Sequence, residues 1–182
     1  MSLAYLRLEL RPFSSSDLLA LIEGPEAFQR SFGRPAADGL RSLFVSGEIS
    51  DKWFEQLRQT SQRDPWTIGF AVVERASGLA IGSAGFKGPP DTAGVVEAAY
   101  GIVPAFEGRG FATEALRELV AFASRDDRVR AIRAHTLPAE NASTRVLLKN
   151  GFSKLGEVVD PEDGRVWRWE RSKLTPGTEG CP

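Results

Sequence analysis

The sequence is short of the two residues most often used to bind metals or to form cross-links. Its 182 residues include one cysteine, Cys181, and one histidine, His135. A lone cysteine excludes an internal disulfide framework and is typical of a reducing compartment, so we expect a cytoplasmic protein. One histidine and one cysteine cannot complete the usual tetrahedral zinc site. The sequence therefore predicts a protein stabilised by its hydrophobic core, with no metal.

The chain also lacks a long apolar run and an excess of charge of either sign. No segment approaches the roughly 18 apolar residues of a membrane helix, and the N-terminus has no signal-peptide core. Basic and acidic residues nearly balance, at 23 and 24. The nearest thing to a basic patch, between Arg125 and Arg133, is interrupted by Asp126 and Asp127. We therefore expect neither a membrane nor a nucleic acid as a partner.

A glycine-rich turn between a strand pattern and a helix pattern is the most informative feature that is present. Strand-like residues 95–103 lead to Gly108 and Gly110, and an amphipathic helix pattern covers residues 111–125. Glycine lets the backbone bend sharply and approach a ligand closely. The unpaired N–H groups and the positive dipole end of the following helix favour a bound phosphate. The pattern predicts a phosphate-bearing cofactor held mainly by backbone.

The common nucleotide-binding motifs do not fit this turn. The dinucleotide fingerprint requires a third glycine, but Phe111, Ala112 and Thr113 follow Gly110. The P-loop string, Gly-x-x-x-x-Gly-Lys-Ser/Thr, does not occur. A nucleotide-binding regulator, with affinity for ATP or NAD, is kept as a third hypothesis.

Hydrophobic periodicity and turn residues divide the chain into the strands and helices of one domain, residues 1–174, followed by a flexible tail at 175–182. Leu6, Leu8 and Leu10 alternate with charged residues, as in a half-buried strand. The order of elements predicts an α+β fold with helices packed on a mixed sheet. The predicted strands are 5–13, 66–74, 79–86, 95–103, 128–137, 152–159 and 165–173, and the predicted helices are 18–22, 26–32, 50–63, 111–125 and 141–150.

Two blocks of the sequence resemble the GNAT superfamily of acetyl-CoA-dependent N-acetyltransferases. Residues 107–112, Glu-Gly-Arg-Gly-Phe-Ala, are similar to that family's cofactor loop, Gln/Arg-x-x-Gly-x-Gly/Ala. Residues 141–152 resemble its Asn-x-x-Ser helix, which leads to Lys-x-Gly-Phe. The two blocks have the family's order and spacing, and the likeness extends over residues 5–174. The opening at 6–13 resembles the first strand of the ribosomal-protein N-terminal acetyltransferases.

The resemblance implies the GNAT-type fold, a central and mostly antiparallel sheet of about seven strands flanked by helices. The neighbouring strands 95–103 and 128–137 would splay apart, and the pantetheine arm of acetyl-CoA would lie in the gap. The cofactor-binding residues that it implies are Ile102, Val103, Glu107, Gly108, Arg109, Gly110, Phe111, Ala112, Thr113, Asn141 and Ser143.

Two positions depart from the family pattern. Glu107 stands where the family usually has Gln or Arg, and a carboxylate facing a pyrophosphate weakens binding unless it points outward or pairs with Arg109. Thr144 replaces the usual serine and keeps a hydroxyl. Neither change removes the backbone N–H donors, so we retain acetyl-CoA as the expected cofactor.

The family reaction is direct attack of an amine on the thioester, which needs a neutral amine and a proton donor for the leaving thiolate. Glu97 is the candidate base because the residues on its strand face are apolar or small, which we expect to raise its pKa by desolvation. His135 or water is the alternative base. Ser143 or Thr144 is the candidate donor, with solvent as the alternative. Tyr100 alternates onto the opposite face from Glu97 and is expected in the core.

The sequence thus predicts an N-acetyltransferase that transfers acetyl to a primary amine in a ternary complex. The acceptor is a protein N-terminus or a small-molecule amine, and the choice lies in residues 14–64 and 87–94. The rival hypothesis is a non-catalytic protein on the same fold that binds or senses acyl-CoA. Dimers are common in the family, so a homodimer is left open.

Overall fold

The computed structural model describes residues 6–45, 55, 57–59, 63–161 and 163–173. The strands are β1 Leu8–Pro12, β2 Phe70–Glu74, β3 Ala80–Phe86, β4 Val95–Ile102, β5 Ala131–Thr136, β6 Ser153–Asp160 and β7 Gly164–Ser172. The α-helices whose bounds lie within the described residues are α1 Ser15–Glu23, α2 Pro25–Phe32, α3 Leu40–Phe44, α4 Phe111–Ser124 and α5 Ala142–Lys149, and Pro104–Phe106 form a 3₁₀ turn.

The strands form one sheet of seven in the order β1-β2-β3-β4-β5-β7-β6. Every neighbouring pair is antiparallel except β4 and β5, which run parallel. A parallel pair needs a crossover, and here the glycine-rich turn and α4 supply it. The predicted α+β sheet of about seven strands is therefore confirmed.

The parallel pair at the centre of the sheet separates soon after it begins. Residues 95–97 of β4 pair with residues 131–133 of β5, and the pairing ends at Glu97 and Arg133. Beyond that point β4 stays paired with β3 as far as Ile102, while β5 stays paired with β7 as far as Thr136. The two strands consequently open a gap between them. This is the splay that the resemblance implies.

Helix α4 packs against the sheet through an apolar stripe. Its core-facing residues recur at helical spacing, as the sequence pattern predicts for 111–125. The buried residues of α4 are Phe111, Ala115, Leu116, Leu119, Val120 and Ala123.

Trp169 of β7 is also buried, and its indole N–H donates to Thr136 Oγ1 at 3.0 Å.

The structure differs from the prediction at helix α3 and at the start of β2. Helix α3 has no counterpart in the sequence-based prediction, because five residues are too few to show a helical period. The predicted strand 66–74 begins only at Phe70. Asp64 instead closes a turn, accepting from Trp66 N at 3.1 Å and from Thr67 Oγ1 at 2.6 Å. Gly69 then turns the chain with a φ of +78°.

Some predictions lie partly or wholly outside the described residues. Of the predicted helix at 50–63, residues 55 and 57–59 are described and are helical. The predicted tail at 175–182 is not among the described residues. Over the ranges given above, no helix has the length and apolar character needed to cross a bilayer. Nor do those ranges contain three or more His, Cys, Asp or Glu side chains grouped as metal ligands.

Candidate active site

The glycine-rich turn ends in an uncapped helix N-terminus. Gly108 and Gly110 have φ values of +72° and +87°, in the left-handed region that favours glycine. Gly110 is the N-cap of α4 and provides no side-chain cap. The N–H of Glu114 donates to the Gly110 carbonyl at 3.1 Å and begins the helical hydrogen bonds. The N–H groups before it have no helical acceptor and are available to an anion.

A cleft of about 570 Å³ runs from this turn to the open end of β4 and to α5. Of the expected cofactor residues, Val103 is fully buried, and Arg109 and Asn141 do not line the cleft. The expected residues that do line it are Ile102, Glu107, Gly108, Gly110, Phe111, Ala112, Thr113 and Ser143.

The charges of the cleft suit the phosphates of coenzyme A. Arg145 and Lys149, on successive turns of α5, line it and outnumber the one lining carboxylate, Glu107. Glu107 is exposed, and the Arg109 guanidinium lies 5.0 Å from the centre of the Phe106 ring. Glu107 nevertheless lines the cleft, and no ion pair joins it to Arg109 among the described residues. The uncapped helix end and these two cations fit a pyrophosphate-bearing cofactor.

A second, smaller cavity of about 190 Å³ lies beside the cleft. Lys87, Glu97, His135 and Asp163 contribute its charged and titratable lining. Tyr100 and Ser143 line both this cavity and the cofactor cleft. These two side chains therefore stand where a cofactor in the cleft would meet a group held by Glu97.

Glu97 is held by two cationic or polar partners. Its Oε1 lies 2.8 Å from Lys87 Nζ and 3.0 Å from His135 Nδ1. Burial favours a higher pKa, but the hydrogen bonds and charges of Lys87 and His135 outweigh it and lower the pKa of Glu97. The expectation that apolar surroundings raise this pKa is therefore wrong. The carboxylate is ionised at neutral pH, and the pKa of Lys87 is raised in turn.

His135, on β5, is the second partner of the Glu97 carboxylate. Its side chain is 9% exposed, and its Nε2 is buried with no hydrogen-bond partner among the described residues. In the tautomer with the proton on Nδ1, that proton is donated to Glu97 and Nε2 keeps a lone pair. The hydrogen bond to the carboxylate fixes the orientation of the imidazole ring.

Tyr100 packs against the core, as expected, but it also lines both cavities. Burial raises the pKa of Tyr100 to about 12, and the neighbouring Ser143 hydroxyl offsets only part of that rise. The Tyr100 hydroxyl has no partner in normal hydrogen-bond geometry within the described parts of the chain. It is therefore a protonated donor without an acceptor of its own.

The hydroxyl of Thr144 is occupied by local structure. Asn141 is the N-cap of α5, and its Oδ1 accepts from Thr144 N at 3.0 Å. Thr144 Oγ1 in turn accepts from Asn141 N at 3.0 Å and lies 2.9 Å from the Asn141 carbonyl. This reciprocal capping box buries Thr144 to 3% exposure. Ser143, one residue earlier, is exposed and faces the cavities.

Lys87 is the functional candidate that sequence reasoning missed. It follows β3 directly, its N–H donates to the Glu97 carbonyl at 2.9 Å, and its ammonium also lies 4.0 Å from Asp163. The only local signal was a lysine at the end of a strand next to a Pro/Gly loop. Its pairing with Glu97 depends on the β3–β4 register, which no motif records.

Comparisons with known proteins agree with this geometry. The sequence matches the family described as Acetyltransferase (GNAT) domain over residues 7–153. Curated protein sequences provide no match.

Solved structures of low sequence identity share the fold. Ribosomal-protein-S5-alanine acetyltransferase from Vibrio fischeri is 16% identical, with a TM-score of 0.65 over 96% of this chain and 97% of that one. Aminoglycoside acetyltransferase AAC(6')-Ib in complex with coenzyme A is 19% identical, with a TM-score of 0.61 over 91% and 95%. A putative GNAT-family acetyltransferase from Bordetella pertussis is 22% identical, with a TM-score of 0.62 over 91% and 96%.

Proposed function

This chain belongs to the GNAT family of acetyl-CoA-dependent acetyltransferases, and from that premise we propose that it acetylates a primary amine by direct transfer in a ternary complex. The observation that carries the proposal is the meeting of two cavities at the splay of β4 and β5. One cavity suits a phosphate-bearing cofactor, the other holds an ionised carboxylate and a histidine, and Tyr100 and Ser143 line both.

The cofactor would be held by backbone donors of the glycine-rich turn, from Gly108 to Thr113, with Arg145 and Lys149 nearby. Ile102 would line the adjoining part of the cleft, in the opening between the strands. When bound, acetyl-CoA supplies the acetyl thioester and the thiol that leaves. By fixing one reactant beside the other, this cleft can contribute a large share of the rate acceleration.

We assign proton removal from the acceptor ammonium to Glu97, which is paired with His135. The two share a hydrogen bond of 3.0 Å, so His135 holds the Glu97 carboxylate in place. A base matters most for a side-chain or aliphatic amine, because a lysine-like amine with pKa near 10.4 costs about 4–5 kcal/mol to neutralise at pH 7. An α-amine, with pKa near 7.7–8.0, costs only about 1 kcal/mol.

We assign stabilisation of the leaving thiolate to the Tyr100 hydroxyl, with the Ser143 hydroxyl as its polar neighbour. A hydroxyl whose pKa is about 12 keeps its proton throughout the neutral range, so it can donate a hydrogen bond to the leaving thiolate, and solvent supplies the proton that completes the thiol. Thr144 is not proposed as the donor, because its hydroxyl is bonded within the capping box.

The acceptor is proposed as a protein N-terminus or a small-molecule amine. Structural neighbours carry the names of enzymes for ribosomal protein S5 alanine, aminoglycosides and spermidine, so the fold alone does not choose. A further cavity of about 320 Å³ adjoins Ala99–Gly101. Leu43, Phe44 and Phe70 line it, and none of the lining residues that the structure describes is charged. This favours an acceptor with an apolar group beside the amine over one that carries several further ammonium groups.

Binding calorimetry followed by an amine screen tests the proposal. Acetyl-CoA should bind, desulfo-CoA should bind similarly, and ADP should bind more weakly because it lacks the pantetheine arm. Free thiol should then appear only with an acceptor amine. Binding without turnover on any amine class would favour the non-catalytic acyl-CoA sensor, and absence of acetyl-CoA binding by the folded protein would refute the proposal.

A further inference from the structure

Arg7 lies just before β1 and contacts the glycine-rich turn 102 positions further along the chain. Its Nη2 donates to the Arg109 carbonyl at 2.9 Å, and its guanidinium lies 4.8 Å from the centre of the Phe111 ring. We propose that Arg7 is a positioning residue for the cofactor: it holds the turn in shape and cancels the charge of Glu114 beside the anion-binding end of α4. This inference rests on the proposed use of coenzyme A.

The contact with the turn is close enough to determine its shape. A Cβ added to Gly110 would lie 3.2 Å from Arg7 Nη2, so the guanidinium packs directly on the glycine backbone. At the other glycine of the turn, Gly108, an added Cβ would have nothing within 4 Å among the described residues. Holding a flexible turn in its binding conformation before the ligand arrives lowers the entropy cost of binding.

The contact with Glu114 is electrostatic. Arg7 Nε donates to Glu114 Oε1 at 2.7 Å, and Nη2 also contacts that oxygen. Glu114 is in the first turn of α4, its side chain is 16% exposed, and its Oε2 is buried without a described partner. An uncompensated carboxylate at that place would repel a bound pyrophosphate, so its pairing with Arg7 keeps the helix end attractive to anions.

The direct test is coenzyme A affinity in Arg7→Ala. We expect its dissociation constant to rise about tenfold, since a charge-assisted hydrogen bond to the turn is lost and the Glu114 charge is exposed. Arg11→Ala is the matched control, because Arg11 is also an arginine of this N-terminal segment but stacks on Phe32, 4.7 Å from its ring centre. Arg11→Ala should bind coenzyme A as the wild type does, and Arg7→Lys should lie between the wild type and Arg7→Ala.

Glu114→Gln separates the proposal from a purely structural role of the pair. If Arg7 and Glu114 only fasten β1 to α4, breaking the pair from either side should weaken coenzyme A binding equally. The proposal expects the opposite result for Glu114→Gln: equal or tighter binding, because a repelling charge is removed while Arg7 still holds Arg109. Thermal unfolding of each variant without ligand establishes that all are folded.

The outcomes distinguish this inference from the proposed function. A wild-type protein that does not bind coenzyme A would refute the proposed function itself. Wild-type binding with an unchanged affinity in Arg7→Ala, or a loss in Glu114→Gln as large as that in Arg7→Ala, would overturn the role assigned to Arg7.

Discussion

The Glu97 carboxylate lies 3.0 Å from His135 Nδ1, across the point where β4 and β5 stop pairing. Glu97 is the last residue of β4 that pairs with β5, and His135 follows its strand partner Arg133 by two residues. The hydrogen bond between Glu97 and His135 therefore lies where the two strands begin to separate, beside the gap and not between paired residues. That location makes the pair available to a reactant in the gap while the sheet below holds it in place.

Replacing Glu97 by glutamine should remove the base while leaving the cofactor cleft intact. We expect Glu97→Gln to lower turnover with an acceptor found by the amine screen by about 10²–10⁴-fold, the usual range for a general base. The affinity for acetyl-CoA, measured by calorimetry, should not change. Glu170→Gln is the control, since Glu170 is also a partly buried carboxylate, paired with Arg133 at 3.1 Å outside the cavity. Equal turnover in Glu97→Gln and the wild type would remove Glu97 from the mechanism.

Lys87 should influence the pH below which activity is lost, because it lowers the pKa of Glu97. Lys87 and His135 together lower the pKa of Glu97 against the effect of burial. A base with a lowered pKa stays ionised, and its activity is lost only as the pH falls through that lowered pKa. Lys87→Met removes one cation, so the Glu97 pKa should rise and the acid limb of the kcat/KM profile should move to higher pH. Lys87→Arg should keep the wild-type limb. An acid limb that does not move in Lys87→Met would contradict this coupling.

Tyr100→Phe should impair the departure of the thiolate without weakening cofactor binding. The ring still fills its place, but the hydrogen-bond donor is lost, so kcat should fall by about 10²-fold at saturating acetyl-CoA. Ser143→Ala should cause a smaller fall, because Ser143 only adjoins the donor. Steady-state kinetics of both variants give the comparison. A larger effect in Ser143→Ala than in Tyr100→Phe would assign the donor to Ser143 instead.

Thr144→Val should affect stability rather than chemistry. The change keeps the side-chain shape but breaks the capping box with Asn141, at a cost of about 1 kcal/mol in the free energy of unfolding. Urea unfolding measures this loss, and kcat per folded molecule should stay near the wild-type value. A loss of turnover in Thr144→Val at unchanged stability would reinstate Thr144 as a catalytic candidate.

Local patterns predicted the parts of the fold that local forces build. The amphipathic period of 111–125 and the sharp turn at Gly108 and Gly110 both depend on residues within a few positions of one another. The same holds for the final hairpin, whose strands are joined by a short turn. Helix α3 and the turn at 64–69 were not predicted, because each is too short to show a hydrophobic period.

By itself the sequence determined the order of the elements, the glycine-rich anion-binding turn and the presence of Glu97 before it. Only the tertiary structure decided that Lys87 and His135 lower the pKa of Glu97, that Tyr100 meets Ser143 between two cavities, and that Arg7 pairs with Glu114. Those contacts join residues on separate strands and helices. Their distances depend on strand register and on the splay, which follow from packing the whole sheet and leave no local period in the sequence.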